Sequence, residues 1–300
     1  MTVTPSKSEQ KVTVIIPCYN REDFIQKTID SALNQSYPYI EIVVVDDGCT
    51  DSSRKIVDSY RSKIRVLEHP GRMNKGQSSA INLAMHSTDG GYIAILDSDD
   101  FWEPDKVKIQ VNYLENNPGI DLIYVNGHAV DEKGRKLYQI FQSDHIETND
   151  PEKVLLNCYL SIPSNSLVRR AAFISAGDFD ENLRSAQDHD MAVRLAETAT
   201  FAFINKDLWF YRRHPNTQSQ KHAKRRWEMA FLILKKAFKR YPYGLSVRRK
   251  RLAVINFRIG QCFLAEGRFL MAIARFLISG LLDPVRAMRV LFRLEQVGAP

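Results

Sequence analysis

Residues 92–105 read YIAILDSDDFWEPD. An apolar run from Tyr92 to Leu96 is followed by three carboxylates, Asp97, Asp99 and Asp100, with no basic side chain until Lys106. The run reads as a buried strand, and Pro104 suits the first turn of the helix that follows. Three acids this close repel one another. Either water solvates them, or they cap the helix, or a cation sits among them. In the cation reading Asp97 and Asp99, separated by Ser98, present carboxylates to one ion while Asp100 caps the helix of Pro104.

Upstream, the same pattern recurs. KVTVIIPCYN (11–20), IEIVVVDDG (40–48) and IRVLEH (64–69) read as strands, and REDFIQKTIDSALNQ (21–35), SSRKIVDSYR (52–61) and GQSSAINLAMHS (76–87) as helices. Downstream, EPDKVKIQVNYLENN (103–117) is helical and DLIYVNGHAVDEKG (121–134) is a strand entering a hairpin. This β-α alternation with near-continuous apolar strands predicts a mostly parallel sheet with helices on both faces. Ligands of such sheets bind beyond the strands' carboxyl ends. Tyr19-Asn20, Asp46-Asp47 and Asp97-Asp99-Asp100 all stand at such ends and should line one crevice. A second acidic pair shifts the reading from helix caps toward a nucleoside diphosphate with a divalent metal, which takes one or two carboxylates plus phosphate oxygens.

Beyond about residue 150 the alternation weakens, with FAFINKDLWFYRRH (201–214) expected as a further strand pair and helices after it. Charge divides at the same place: from Arg212 onward 20 Lys+Arg face 4 Asp+Glu, although the whole chain carries only +7. The pI therefore describes a basic tail on an acidic domain and does not point to nucleic acid. Four cysteines, at 18, 49, 158 and 262, show no CxxC spacing, against a disulfide scaffold or structural zinc and in keeping with a reducing, cytoplasmic setting. The first residues lack the apolar core of a signal peptide, and no apolar run reaches the roughly 18 residues of a spanning helix. The expected organisation is a disordered tail over 1–10, a catalytic domain over 11–219 and a basic helical region over 220–300.

VTVIIPCYNRE, EIVVVDDGCTD, NKGQSSAINLAM, AILDSDDFWEPDKV, SAQDHDMAVRLA and YRRHPNTQSQ stand in this order across residues 11–219. In these segments the chain resembles the inverting family 2 nucleotide-sugar glycosyltransferases with the GT-A fold. The resemblance implies Mg²⁺ or Mn²⁺, a nucleotide-sugar donor (UDP by the family's preference), and a saccharide or lipid-linked acceptor. It implies that Pro17 and Tyr19 flank the base, that Asp47 bonds base or ribose, and that Lys75 and Gly76 pass the donor, Lys75 toward phosphate. Asp97 would meet sugar or ribose, and Asp99 the metal. Asp188 becomes the base that deprotonates the acceptor hydroxyl, and Asp190 holds the acceptor or a nearby loop. Gln187 stands at the neighbouring acceptor contact, where the family usually has Glu. Arg212 and His214 belong to a segment closing over the diphosphate, His214 being a second candidate metal ligand. Competing readings are a silent nucleotide-sugar-binding scaffold, which loss of these carboxylates would favour, and a sugar nucleotidyltransferase, whose Gly-rich loop PCYNRED lacks. The basic tail is either an amphipathic surface for peripheral contact with an anionic membrane or a solvated bundle. Oligomeric state is not legible.

Overall fold

The computed structural model describes residues 11–157, 159–160, 162–214 and 223–292. The tail expected over 1–10, Cys158, the 219/220 boundary and residues 215–219 of the closing segment lie outside them. The described residues form two compact units, one of 11–149 with 160–214, the other joining 150–157 and 159 to 223–292.

The first unit begins with the expected alternation: β1 (Val12–Cys18), α1 (Ile25–Leu33), β2 (Ile40–Asp46), α2 (Ser53–Asp58), β3 (Arg65–Glu68), α3 (Gln77–His86) and β4 (Tyr92–Ile95). These strands are rich in β-branched residues, and every residue of β1 and β4 is buried. A strand covered on both faces has no solvent side, so it reads as a continuous apolar run. Alternate residues Val12, Val14, Ile16 and Cys18 join one core with Ile25 and Ile29 of α1 and Val57 of α2. Helix α3 buries Ile81, Ala84 and Met85.

The sheet order is β3-β2-β1-β4, then β8 (Ser166–Arg169), β6 (Leu122–Val130), β9 (Phe201–Arg212) and β5 (Phe101–Trp102), with β7 (Lys136–Gln139) on β6 as a hairpin. The first four strands are parallel. Past β4 the sheet is mixed: β8 runs antiparallel to β4 and to β6, and β5 antiparallel to β9. Between them lie α4 (Lys106–Asn116), β7, α5 (Pro151–Asn157, part of the second unit), α6 (Arg170–Ala176) and α7 (Gln187–Ala196).

Residues 201–214 correct the expected strand pair. They contain one long strand that pairs with β6 along its length and shifts register twice near Asn126. Asn126 holds this bulge, its Nδ2 donating to Phe141 O at 2.9 Å and Asn205 Oδ1 at 2.8 Å. Gly127 is required beside it, because a Cβ there would lie 2.0 Å from Trp209 O. A bulge bends and re-aims its strand, and here the re-aimed end carries Trp209, Arg212 and His214.

In the second unit α8 (Ala223–Arg240) buries Ala230, Ile233, Leu234 and Ala237. Helix α9 (Leu245–Ala265) is tied to α5 by Arg251 Nη1, which donates to Leu156 O at 2.8 Å. Helices α10 (Phe269–Leu282) and α11 (Pro284–Leu291) follow, with Asp283 capping α11 through Arg286 N as its sequence position suggests. Among the described residues Cys18, Cys49 and Cys262 are free thiols.

Candidate active site

Strand β1 lies between β2 and β4, and all three run in one direction, so their carboxyl ends open on one side. After β1 the chain turns at Asn20, whose φ is 51°, and leaves Tyr19 39% exposed at the rim. Pro17 lies on β1 in register with Val45. The loops after β2 and β4 bring the acids.

Asp46 and Asp47 are both buried. Asp46 accepts from Cys49 N and Arg54 Nη1, each at 2.8 Å, and so organises its own loop. The two carboxylate oxygens of Asp47 accept from the amides of Lys75 and Gly76, at 2.8 Å each. Asp47 is thus first a clamp on the loop before α3, and a ribose or base would have to share oxygens already bonded. Gly48, at φ 78°, completes the clamp: a Cβ would come within 2.7 Å of Arg72 O. The Lys75 side chain is exposed. Over Lys75 and Gly76 lies Arg184, whose Nη1 donates to Lys75 O.

The loop after β4 is built differently. Asp97 remains half-buried. Its Oδ1 accepts from Gln77 Nε2 at 2.7 Å, and its amide donates to Ser164 Oγ. Burial first, then the charges of Asp100, Asp99 and Asp188, push its carboxyl well above the usual carboxylate range. Asp97 is therefore within electrostatic reach of both the loop acids and the acid on α7. Asp99 is flanked by Arg21 and His214: Arg21 Nε donates to its Oδ2, and His214 Nε2 lies against the same oxygen, both at 3.1 Å. Burial alone would raise its pKa, but His214 and Arg21 outweigh that and hold it below the ordinary value.

Asp100 corrects an expectation. It caps no helix; Oδ2 accepts from Trp209 Nε1 and Oδ1 from Arg212 N, tying the loop to β9. Burial and the neighbouring Asp99 charge push its pKa up to about 7. Arg212 is a second correction. Expected near the leaving group, its guanidinium is buried between the rings of Phe24 and Phe101 and donates to the carbonyls of Asp99 and Glu132. Carbonyl acceptors and aromatic faces hold it as a strut under the acidic loop.

Helix α7 starts after Ala186, a left-handed residue at φ 60°, and carries Asp188 and Asp190 in its first turn, where the helix dipole favours anions. Gln187 Nε2 donates to Gln77 Oε1 at 2.7 Å, completing a relay from α7 through α3 to Asp97. Of the two roles expected for Asp190, acceptor contact or loop support, the structure shows the second: it is fully buried and accepts from Arg194 Nε at 2.9 Å. Arg194 in turn donates to Ala176 O and Gly177 O, so the pair secures the end of α6.

Among the described residues no three His, Cys, Asp or Glu side chains form a closed metal cage. Asp99 Oδ2 and His214 Nε2 form a two-donor edge of oxygen and nitrogen. That set fits Mn²⁺ or Mg²⁺ completed by diphosphate oxygens and water, with Mn²⁺ the more tolerant of imidazole. Arg21, Gln77, Ser164, Arg184 and Trp209 were not foreseen. Arg21 and Gln77 do stand within the segments YNRE and NKGQ, beside residues that were; Ser164 and Trp209 carry no local signal.

Residues 13–177 match the family model described as glycosyl transferase family 2. Chondroitin synthase of Escherichia coli is 28% identical over 238 residues, covering 78% of this chain and 34% of that protein. The chain spans about a third of the length of the curated relatives it matches first. Among solved structures it is similar to S. aureus TarS 1–349 in complex with UDP-GlcNAc, with a TM-score of 0.69 at 20% identity over 92% of this chain and 83% of that one. It is also similar to the mannosyltransferase PcManGT from Pyrobaculum calidifontis in complex with GDP-Man and Mn²⁺, with a TM-score of 0.60 at 18% identity over 97% and 81%. At these identities the likeness speaks for the fold, which is the expected α/β GT-A architecture with C-terminal helices.

Proposed function

The chain belongs to glycosyl transferase family 2, and from that premise we propose that it is an inverting, metal-dependent glycosyltransferase taking its sugar from a nucleoside diphosphate sugar. The TarS and PcManGT complexes, which hold UDP-GlcNAc and GDP-Man, support a donor of this class. UDP is the nucleotide we assign, and a saccharide or lipid-linked hydroxyl the acceptor. Peripheral residence on the cytoplasmic face of a membrane suits the lipid-linked case.

One observation supports the reading: Gln77 bonds Asp97 with its Nε2 and accepts from Gln187, the residue before Asp188, with its Oε1, and the charge of Asp188 reaches Asp97. The acids after β4 and those opening α7 are thus linked through Gln77 and Gln187. Tyr19 offers an aromatic face at the rim for the base, and the backbone at Lys75 and Gly76, held by Asp47, flanks the donor. Asp97, fixed by Gln77, accepts from a sugar or ribose hydroxyl. Asp99 and His214 would hold Mn²⁺ or Mg²⁺, whose charge would stabilise the leaving diphosphate. The acceptor oxygen forms its bond to the anomeric carbon from the face opposite the diphosphate, whose C–O bond breaks with both electrons. Asp188 takes the hydroxyl proton.

Incubation with a panel of nucleoside diphosphate sugars, with and without Mn²⁺, followed by nucleoside diphosphate release and NMR of the product anomer, tests this. Metal-dependent release with an inverted anomer is expected. A retained anomer rejects the mechanism, and donor binding without turnover favours the silent scaffold.

A further inference from the structure

Helix α10 is amphipathic in the reverse sense. Toward α9 it presents Ala272, Arg275, Phe276 and Ser279: Arg275 Nη1 donates to Asn256 Oδ1 and Ser279 Oγ to Ala253 O, both at 2.8 Å, while Phe276 fills the space beside Gly260. Away from α9 it shows Leu270, Leu277 and Leu281, which are 85%, 64% and 83% exposed. A helix of a water-soluble bundle turns its apolar stripe inward. The exposure continues on α11 through Val285, Met288 and Leu291. A contiguous apolar surface of this kind marks an interaction site.

We propose that α10 and α11 form a docking surface for an anionic lipid bilayer, the apolar stripe entering the acyl boundary and the surrounding arginines meeting headgroup phosphates. Charge selects this occupant. From Leu245 to Phe292 nine Lys+Arg stand against two acids, Glu266 and Asp283; Arg251, Arg258 and Arg275 are engaged with neighbouring helices, and six remain for the rim. Asp283 caps α11, and Glu266 pairs with Lys224 and Arg268. A two-fold contact with a second copy would set this basic rim against itself, whereas anionic headgroups complement it. Length excludes a span: the 14 residues of α10 reach about 21 Å, against about 30 Å of hydrocarbon. Among the described residues no helix is long and apolar enough to cross a membrane. The surface lies in the interface plane. Within the basic tail it places the surface on α10 and α11, since α8 turns Ala230, Ile233, Leu234 and Ala237 inward. Nothing in it depends on the donor or the catalytic acids.

The test is sedimentation of the full chain with phosphatidylcholine vesicles, with and without phosphatidylglycerol. The chain should partition onto the anionic vesicles and weakly onto the neutral ones. Leu277→Glu/Leu281→Glu should lower partitioning about tenfold or more, with an unchanged melting curve; Leu277→Ser/Leu281→Ser provides a milder second variant. Arg286→Ala/Arg289→Ala should weaken anionic binding and its salt dependence. Failure to bind vesicles, or binding by the leucine variants equal to that of the native chain, overturns the proposal. So does a lipid-free dimer that those variants dissociate, which would assign the surface to a second copy. Transferase activity is not read, so a failed catalytic reading and a failed docking surface give separate results.

Discussion

The loops after β2 and β4 look alike in sequence, each an apolar strand ending in adjacent acids, yet the fold treats them differently. Both flank β1. After β2 every carboxylate oxygen of Asp46 and Asp47 meets a donor, an amide or Arg54, and the acids hold loops in place. After β4 only Asp100 is absorbed in that way, by Trp209 and Arg212. Asp97 and Asp99 face neighbours that are side chains: Gln77, Arg21 and His214. Asp46, Asp47 and Asp100 each have a backbone amide among their donors, a fixed support, whereas the side-chain neighbours of Asp97 and Asp99 can turn aside for a ligand. Acid at a strand end is thus a signal of charge demand, and its meaning depends on who supplies the hydrogen bonds.

That contrast can be broken by experiment. Asp188→Asn should lower kcat on the order of a thousandfold while isothermal titration finds donor binding nearly intact. Equal losses in both would remove Asp188 as the base. Asp99→Ala should weaken metal-dependent donor binding at least about tenfold; unchanged Mn²⁺ dependence in the same titration would make Asp99 a structural acid like Asp46. Asp47→Ala leaves two amides without acceptors and should lower unfolding free energy by about 2 kcal/mol. Asp97→Asn, which relieves like-charge crowding, should leave the denaturation midpoint unchanged or higher. Matching destabilisation in these two variants would erase the distinction between the loops. Smallest, Lys75→Ala should change the donor KM only about two- to fivefold, as suits an exposed charge, and a larger effect would show that the loop before α3 grips the donor through its side chain as well as its backbone.

Much of this is legible from local chemistry. The alternation of strand and helix follows from side-chain periodicity, and the acids fall at strand ends because glycine and polar residues stop the apolar runs there. The hairpin of β6 and β7 and the Asp283 cap are local for the same reason. In sequence NKD (205–207) looks like a turn between two strands, but the register shift against β6 keeps β9 in one strand. Arg212 was assigned to phosphate because a guanidinium suits it, but Asp99 O, Glu132 O and two aromatic rings had closed around it. The outward face of α10 has no local mark either, since a leucine stripe reads the same whether it is buried or bare.

By itself, then, the chain's order of residues determined the element types, the parallel first half of the sheet and the side of it where the acids gather, because periodicity and turn chemistry act over a few residues. Only tertiary structure decided which acids were silenced by backbone donors and which were left to side-chain neighbours. The partners that silence them, Lys75 and Gly76 for Asp47 and Trp209 and Arg212 for Asp100, lie 28 to 112 residues away, and a carboxylate's role depends on the donors the fold brings to it.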